Sequence, residues 1–229
     1  MLHLLNMRAL PRFLHSIYRT WVRIMLSVGY DFKVWRPQEL PPGPKIYVSN
    51  HFSSSDAHFV TTLMDEPIHM VVGPGFNIPI VRTFLKLCDQ IPANTKEARG
   101  KVVETAVGYL RQGDSIYIFP EGKLYRVDEL GRFHMGAARM ALATGCPIVP
   151  IGLVAPQRRV RKVDSALAGR KMTVVSKNYY ANIGQAMYFP QGILLAKEDP
   201  KAAEEAVTAR IKAEVARLIE DIKTDKFWS

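Results

Sequence analysis

The sequence is poor in cysteine, and this limits the kinds of site that it can build. Its two cysteines, Cys88 and Cys146, are isolated from each other and form no Cys-x-x-Cys or Cys/His cluster. This spacing argues against a disulfide framework and against a structural zinc site. We therefore expect two reduced thiols in a cytosolic protein and no bound metal.

Long apolar runs are also missing. No uninterrupted run reaches the roughly 18 residues that a transmembrane helix requires. The N-terminus lacks the compact apolar region and small-residue cleavage site of a secretory signal. A chain of 229 residues can bury about 70% of its unfolded surface. We expect one α/β domain, with at most a small appendage.

Acidic side chains are outnumbered by basic ones, 21 against 31, which gives a formal charge of +10. Such an excess indicates an anionic partner, either nucleic acid, anionic lipid or a phosphorylated substrate. Part of the excess lies at residues 156–171. No recognition helix, RNP motif or zinc finger is present, so nucleic acid is not the expected partner.

Residues 1–36 form an N-terminal segment in which helical periodicity extends over 1–29, with a possible break at Pro11. One side of the helix is apolar and the other is basic, and residues 1–30 contain no acid. The apolar side comprises Leu10, Phe13, Leu14, Ile17, Tyr18, Trp21, Ile24, Met25 and Val28, and the basic side Arg8, Arg12, Arg19 and Arg23. This pattern is typical of a helix lying in a membrane interface, with arginines on lipid phosphates. The alternative is a helix that packs its apolar face on the protein's own core.

A Pro-rich linker, residues 37–44, separates this segment from an α/β domain at 45–229. Strands alternate with helices along the domain, which predicts a mostly parallel central sheet with helices on both faces. Ligands of such sheets bind beyond the carboxyl ends of the strands. The predicted strands are 45–49, 68–72, 115–119 and 147–153, the predicted helices are 56–64, 81–87, 96–112, 135–143 and 200–223, and a β hairpin is predicted at 172–189.

The first chemical motif, Asn50-His51-Phe52-Ser53-Ser54-Ser55-Asp56, follows a predicted strand. If His51 lies in the loop and Asp56 in the first helical turn, the carboxylate can hold one imidazole nitrogen and leave the other as a general base. No hydrolytic nucleophile is obvious, so this base would activate a substrate's own hydroxyl. Two alternatives stay open: a plain Ser53–Asp56 capping box, and a nucleophilic serine, although no Gly-x-Ser-x-Gly elbow is present.

The second motif, Phe119-Pro120-Glu121-Gly122-Lys123, ends another predicted strand. Glu121 stands in a fixed turn, where it can accept hydrogen bonds from a polyol, and Lys123 offers a phosphate contact. A cationic series suited to a phosphorylated ligand follows, namely Arg126, Arg132, His134 and Arg139. The alternative is an ordinary strand–turn segment with solvated charges.

These two motifs, together with Phe133-His134-Met135-Gly136 and Val149-Pro150-Ile151, resemble the conserved blocks of the glycerolipid acyltransferase superfamily over residues 45–153. The resemblance implies His51 as catalytic base, Asp56 as its orienting acid, and residues 119–122 as the block that binds the glycerol-phosphate part of the acceptor. It implies an acyl-CoA or acyl-carrier-protein co-substrate, a lysophospholipid acceptor and no further cofactor. Lys123 is reminiscent of tafazzin-like members.

One departure concerns the second block, where the family usually has an arginine and residues 90–96 have none. Lys96 or Arg99 could take its place, although lysine lacks the bidentate fork of arginine. The full set of predicted substrate-binding residues is Asn50, Lys96, Arg99, Glu121, Gly122, Lys123, Arg132 and His134.

The sequence thus predicts a peripheral enzyme on the cytoplasmic face of a membrane, in contact with membrane phospholipids. The predicted reaction is acylation of a lysophospholipid, with 1-acylglycerol-3-phosphate giving phosphatidic acid as the favoured case. A tafazzin-like transacylase and a non-enzymatic lipid-binding or transfer protein are the alternatives.

Overall fold

The computed structural model describes residues 2–36, 39–127 and 129–224. Residues 37 and 38 of the predicted linker, the side chain of Arg8 and the last five residues of the predicted domain lie outside this description.

Nine strands are described, and seven of them form one sheet in the order β1-β9-β6-β2-β5-β3-β4. Neighbours in this sheet run parallel, except for the antiparallel β6–β9 pair. The other two, β7 and β8, pair only with each other as a hairpin. The strands are β1 (Asp31–Trp35), β2 (Ile46–Ser49), β3 (Ile68–Val72), β4 (Ile91–Pro92), β5 (Ser115–Ile118), β6 (Ile148–Val154), β7 (Val160–Ser165), β8 (Arg170–Val175) and β9 (Asn178–Ile183).

Helices cover both faces of the sheet, and the predicted α/β architecture is confirmed. On one face, α1 and α2 pack with the aromatic side chains of β9, and on the other, α4, α5 and α7 share a second core with Ile46, Ile116 and Ile148. The helices are α1 (Leu2–Gly29), α2 (Asp56–Val60), α3 (Pro79–Leu87), α4 (Lys96–Arg111), α5 (Gly136–Thr144), α6 (Pro190–Glu198) and α7 (Pro200–Thr224).

The central strands β2, β5 and β6 are buried along their whole length, as expected for strands covered on both faces. The last helix, α7, crosses β6 so closely that a Cβ at Gly152 would lie 2.7 Å from the backbone nitrogen of Ile219. Glycine is therefore required at this crossing. The predicted inner face of α7 is confirmed, since all of its members are buried: Val207, Ile211, Val215, Leu218 and Ile222.

Helix α1 is continuous through Pro11, and its arginines face the protein. Arg12 pairs with Asp114 at 2.9 Å, Arg19 donates to the carbonyls of Met64 and Asp65, and Arg23 donates to Asp65. The expectation that these three arginines lie on lipid phosphates is therefore corrected. The cause is the group of carboxylate and carbonyl acceptors that the main domain presents to this side of the helix.

The opposite side of α1 is an apolar stripe that the described residues leave in solvent. Its members are each more than half exposed: Leu10, Phe13, Ile17, Trp21, Ile24, Met25 and Val28. The alternative in which this face packs on the core holds for Tyr18 alone among the residues named here, since Tyr18 packs against the core beside Val22 and Leu26. None of the described helices is long and apolar enough to cross a membrane.

Two local predictions are wrong. Residues 31–35, placed in the N-terminal helical segment, form the edge strand β1, which pairs with β9. The hairpin predicted at 172–189 does not form. Strand β8 pairs with β7, which precedes it in the chain, and β9 enters the main sheet. Lys177, with φ of 63°, separates the two strands. The sequence pattern also missed β4, β7 and α6, and α2 ends at Val60 rather than at Met64.

Candidate active site

The loop between β2 and α2 is anchored to the neighbouring strand by Asn50. The side-chain amide donates to the carbonyl of Leu153 at 2.9 Å and accepts from its N–H at 2.8 Å. Asn50 is buried, and both ends of its amide are used by backbone. The contact therefore fixes the start of the His51 loop against β6.

His51 and Asp56 meet as the spacing predicts. The distance from His51 Nδ1 to Asp56 Oδ2 is 2.9 Å, with His51 in the loop and Asp56 as the first residue of α2. Asp56 is 0% exposed. Its Oδ2 also accepts the N–H groups of Phe52 and Ser53, and its Oδ1 accepts the hydroxyl of Tyr179 at 3.0 Å. These donors offset the cost of burying a carboxylate.

The capping-box alternative is partly present in the same contacts. Asp56 accepts the Ser53 N–H, which is one half of such a box, while the Ser53 hydroxyl donates to the carbonyl of Thr173 on β8. The Ser55 hydroxyl accepts the N–H of Val175. Both hydroxyls are thus bound to β8 and not to His51, which disfavours either as a nucleophile. The serine and aspartate shape the loop, and the aspartate also orients the histidine.

The ring of His51 stacks on Phe119, with centroids 4.0 Å apart and planes 18° apart. Because Nδ1 is held by Asp56, Nε2 is the nitrogen that a substrate can reach. The side chain of His51 is partly exposed, whereas that of Asp56 is not. The pair is therefore a buried acid behind an accessible base.

Glu121 contacts the backbone of the site. Its Oε2 accepts the His51 N–H at 2.6 Å, and its Oε1 accepts the Gly131 N–H at 2.7 Å. The residue is 2% exposed. Burial raises the pKa of Glu121, against the lowering effect of these two N–H donors. Both carboxylate oxygens are therefore occupied by backbone N–H groups, one from the His51 loop and one from the loop at Gly131.

The predicted residues next to Glu121 are also at this site. Gly122 has φ of 65°, and a Cβ there would lie 3.4 Å from the ring of His134. The N–H of His134 donates to the carbonyl of Pro120 at 2.8 Å. Lys123 lies over the ring of Tyr125 at 4.9 Å, and the Tyr125 N–H donates to the His51 carbonyl. The Glu121 turn and the His51 loop therefore form one unit.

Other predicted residues lie further out. Lys96 and Arg99 are exposed in the first turn of α4, which follows β4. Strands β5 and β3 separate β4 from β2, so these cations are not in the group around His51. Arg132 is exposed beside Gly131, and Arg139 pairs with Glu204 of α7 at 2.9 Å.

Sequence reasoning missed Tyr179, which completes the environment of Asp56 from a strand 123 residues away. The hydrogen bond to Asp56 lies in a fully buried place, and burial followed by the charge of Asp56 raises the pKa of the Tyr179 hydroxyl well above its ordinary value. The hydroxyl therefore stays a donor. No local signal marks such a residue, since a tyrosine in a buried strand is ordinary.

The described residues contain no group of three or more His, Cys, Asp or Glu side chains that could hold a metal ion. The backbone N–H groups of His51, Phe52 and Ser53 are all taken by Glu121 and Asp56. They are consequently not available to stabilise a developing oxyanion.

Comparison with known proteins places this site in a family. The family model described as acyltransferase matches residues 31–154, which is more than half of the chain and includes both motifs. The chain belongs to the acyltransferase family.

Named relatives of this acyltransferase are similar over the same part of the chain. It is 29% identical over 147 residues to the chloroplastic 1-acyl-sn-glycerol-3-phosphate acyltransferase BAT2 of Brassica napus, covering 62% of this chain and 43% of that protein. It is 30% identical over 148 residues to the chloroplastic LPAT1 enzyme of Arabidopsis thaliana, covering 62% and 41%. The acyltransferase thus spans less than half the length of these two relatives.

The fold has a solved counterpart. The crystal structure of the 1-acyl-sn-glycerophosphate acyltransferase PlsC from Thermotoga maritima matches with a TM-score of 0.72 and 16% identity, covering 96% of this chain and 83% of that one. At this identity the likeness establishes the fold of the acyltransferase alone.

Proposed function

We propose that this acyltransferase transfers a fatty acyl group from an acyl thioester to the free hydroxyl of a lysophospholipid, in phospholipid biosynthesis. The favoured acceptor is 1-acylglycerol-3-phosphate, which would give phosphatidic acid. The names of the relatives support this acceptor. The observation that carries the proposal is the His51–Asp56 contact of 2.9 Å, with Nε2 left for a substrate.

In the proposed reaction, Nε2 of His51 takes the proton from the acceptor hydroxyl. The oxygen attacks the thioester carbonyl carbon, an ester C–O bond forms and the C–S bond breaks. The imidazolium then returns its proton to the departing thiolate, so the products are an ester and a free thiol. Asp56 holds the ring and stabilises the imidazolium. General-base assistance by His51 contributes about 10²–10⁴-fold. This chemistry needs no cofactor beyond the thioester itself.

Glu121 acts in this proposal by holding the loop that carries His51. Its oxygens are used by the backbone, so we assign the acceptor's phosphate to exposed cations and not to this carboxylate. Lys96, Arg99, Lys123, Arg132 and His134 stay candidates for that contact.

We further propose that the enzyme is peripheral and binds the cytoplasmic face of a membrane through the apolar stripe of α1. Exposed aromatic and aliphatic side chains on a helix suit the lipid interface. The two cysteines are free, in agreement with a reducing compartment.

The test is incubation of the purified chain with labelled acyl-CoA and a panel of lysophospholipids, with mass spectrometry of the products. We expect acylated product and free thiol from the wild type, and a loss of at least 100-fold in kcat for His51→Ala. A Ser54→Ala variant serves as the control, and should retain activity because the substrate is the nucleophile.

The same assay separates the alternatives. Product formed only when an intact phospholipid is the acyl donor would indicate a tafazzin-like transacylase. Binding of lysophospholipid without thiol release, equal in wild type and His51→Ala, would indicate a lipid-binding protein and would refute the catalytic role of His51.

A further inference from the structure

A cleft of about 510 Å³ lies between the β7–β8 hairpin and the segment that follows Glu121. Its size falls within the range of small-molecule sites, about 300–1,000 Å³. Leu124 and Tyr125 contribute apolar surface, and four cationic residues also line it: Lys123, Arg126, Arg161 and Lys162.

Both walls of this cleft are hydrogen-bonded to the loop that carries the catalytic base. On one side the Tyr125 N–H donates to the His51 carbonyl at 2.8 Å. On the other, the carbonyl of Thr173 accepts the Ser54 N–H at 2.8 Å and the Ser53 hydroxyl at 3.0 Å. The cleft therefore adjoins the loop that carries His51, and Phe52 of that loop is part of its lining.

The charge of the lining is strongly positive. Within the described lining, Glu129 is the acid that stands against the four cations, and it lies 3.6 Å from Arg126 with both side chains largely exposed. Arg161 and Lys162 come from β7 of the hairpin, beyond residue 154, where the family match ends. The hairpin wall is thus a feature of this chain outside the matched residues.

We infer that this cleft binds the nucleotide phosphates of an acyl-CoA donor, which rests on the proposed acyl transfer. Coenzyme A carries a diphosphate and a 3′-phosphate at the far end of a long uncharged arm. Several phosphates match several cations, whereas the acceptor has a single phosphate group. The apolar surface of Leu124 and Tyr125 suits the arm, which leads the thioester toward the His51 loop.

The number of cations favours coenzyme A over an acyl carrier protein. The arm of a carrier protein brings one phosphate group into a cleft, whereas coenzyme A brings its diphosphate and its 3′-phosphate. Four cationic residues line this cleft of about 510 Å³, which is the size that a small ligand requires.

The decisive variant is Arg161→Ala/Lys162→Ala, which removes the hairpin's two cations from the cleft. Binding of free coenzyme A is measured by calorimetric titration without acceptor, so the result does not depend on turnover. We expect the Kd for coenzyme A to rise at least tenfold. The matched control is Lys197→Ala/Lys201→Ala, which removes two exposed charges from α6 and α7 and should leave the Kd unchanged.

Kinetics with two donors make the assignment specific. The KM for acyl-CoA should rise at least tenfold in the variant, with kcat and the KM for lysophosphatidate within about twofold. An acyl thioester of N-acetylcysteamine has the same reacting carbonyl and no phosphate, so wild type and variant should use it equally. Wild-type affinity for coenzyme A should also fall as salt is added. This titration tests the charge contact without any substitution that unfolds the chain.

Unchanged affinity for coenzyme A in the variant overturns the inference. If the KM for lysophosphatidate rises instead, the cations bind the acceptor, and if only binding to anionic vesicles is lost, they bind lipid. Wild-type protein that binds coenzyme A but acylates no lysophospholipid would refute the proposed function while leaving the cleft assignment in place.

Discussion

At the scale of single residues, Glu121 connects two loops through one carboxylate. Its two oxygens accept the N–H groups of His51 and Gly131, at 2.6 and 2.7 Å. Leaving a buried donor without a partner costs about 1–3 kcal/mol. The position of the His51 ring therefore depends on a residue that need not touch a substrate.

Replacement of Glu121 by glutamine should accordingly lower kcat and leave the KM for the acceptor within about twofold. The glutamine side-chain oxygen can accept one of the two N–H groups. Its NH₂ group is a donor and cannot accept the other, which is left without a partner. We expect kcat to fall about tenfold or more, since losses of 1–3 kcal/mol apply to each unpaired group. The measurement is steady-state kinetics over a range of acceptor concentrations.

A glutamine variant with normal kcat and a raised acceptor KM would show that Glu121 contacts the substrate after all. Glu198→Gln is a suitable control, because Glu198 is exposed at the end of α6 and lies outside both the cleft lining and the hydrogen bonds that hold the His51 loop.

Residue-level prediction from sequence succeeded where the partners are close in the chain. The contact between His51 and Asp56 follows from five-residue spacing across the start of a helix. The partners of Glu121 and Asp56 do not, because Glu121 reaches His51 across 70 residues and Tyr179 reaches Asp56 across 123. Spacing within one segment carries no information about such pairs.

At the scale of elements, α1 shows that an amphipathic helix can dock by its polar side. Its arginines bond to the main domain, while Val22 and Leu26 add a narrow apolar contact. The helical periodicity separated the exposed apolar residues from the arginines, although Tyr18, which was placed with the apolar side, packs on the core. It could not tell which side meets protein, because that depends on the acceptors at Met64, Asp65 and Asp114.

The apolar stripe gives a prediction for this element. Phe13→Ala/Trp21→Ala should weaken co-sedimentation with anionic vesicles at least tenfold, since burial of each such side chain contributes about 1.5–3 kcal/mol. Thermal stability should change little, because both side chains are more than half exposed. Leu194→Ala, an exposed apolar change on α6, provides the comparison.

Equal sedimentation of the stripe variant, the α6 variant and the wild type would contradict the membrane role of α1. Loss of sedimentation together with a lowered unfolding temperature would instead indicate that the stripe supports folding.

The hairpin illustrates why element boundaries and partners were mistaken. Residues 172–175 and 178–183 both have strand-like composition, so pairing them across a short gap was reasonable. Strand β9 is buried along nearly its full length, as a strand inside a sheet must be, and β8 therefore pairs with the more exposed β7.

At the scale of the whole molecule, the packing of α1 on the main body buries a neutral histidine. Both ring nitrogens of His15 are buried without a hydrogen-bond partner in the described structure. Burial, and then the positive charges of Arg19 and His69, lower the pKa of His15 from 6.5 to about 4. Protonation of His15 at low pH therefore destabilises the folded state.

The sign of the pH dependence follows from that shift. Below pH 6.5 the unfolded chain binds a proton that folded His15 does not accept until about pH 4. The contribution of neutral His15 to the free energy of unfolding is thus fully present above pH 6.5. It is lost as the pH falls, by about 2 kcal/mol at pH 5. In urea unfolding experiments, the free energy of unfolding of His15→Leu should fall by about 2 kcal/mol less than that of the wild type between pH 7.5 and pH 5.

An exposed apolar change on the same helix serves as the reference in the same experiment. Leu10→Ala should retain the wild-type pH dependence, since its side chain is exposed and carries no titratable group. If His15→Leu and wild type lose equal stability, the buried histidine is not the source of the acid sensitivity.

The class of fold was predictable for the whole molecule, and its strand order was not. Alternating strands and helices specify a parallel α/β sheet. Strand β9 enters between β1 and β6 and is antiparallel to β6 alone. This placement depends on the packing of buried Tyr179 against Phe59 of α2 and on a partner strand near the N-terminus. Neither contact can be read from the hydrophobic periodicity of a single segment of the sequence.

The placement of β9 has a consequence for synthesis of the chain. Asp31 leaves the ribosome 147 residues before Asn178, its neighbour in the sheet, an interval on the order of ten seconds at usual elongation rates. During that time β1 lacks its sheet partner and Asp56 lacks Tyr179. The segment that forms α1 is thus synthesised before the sheet can close, so lipid or a chaperone has access to its apolar side chains before Tyr179 reaches Asp56.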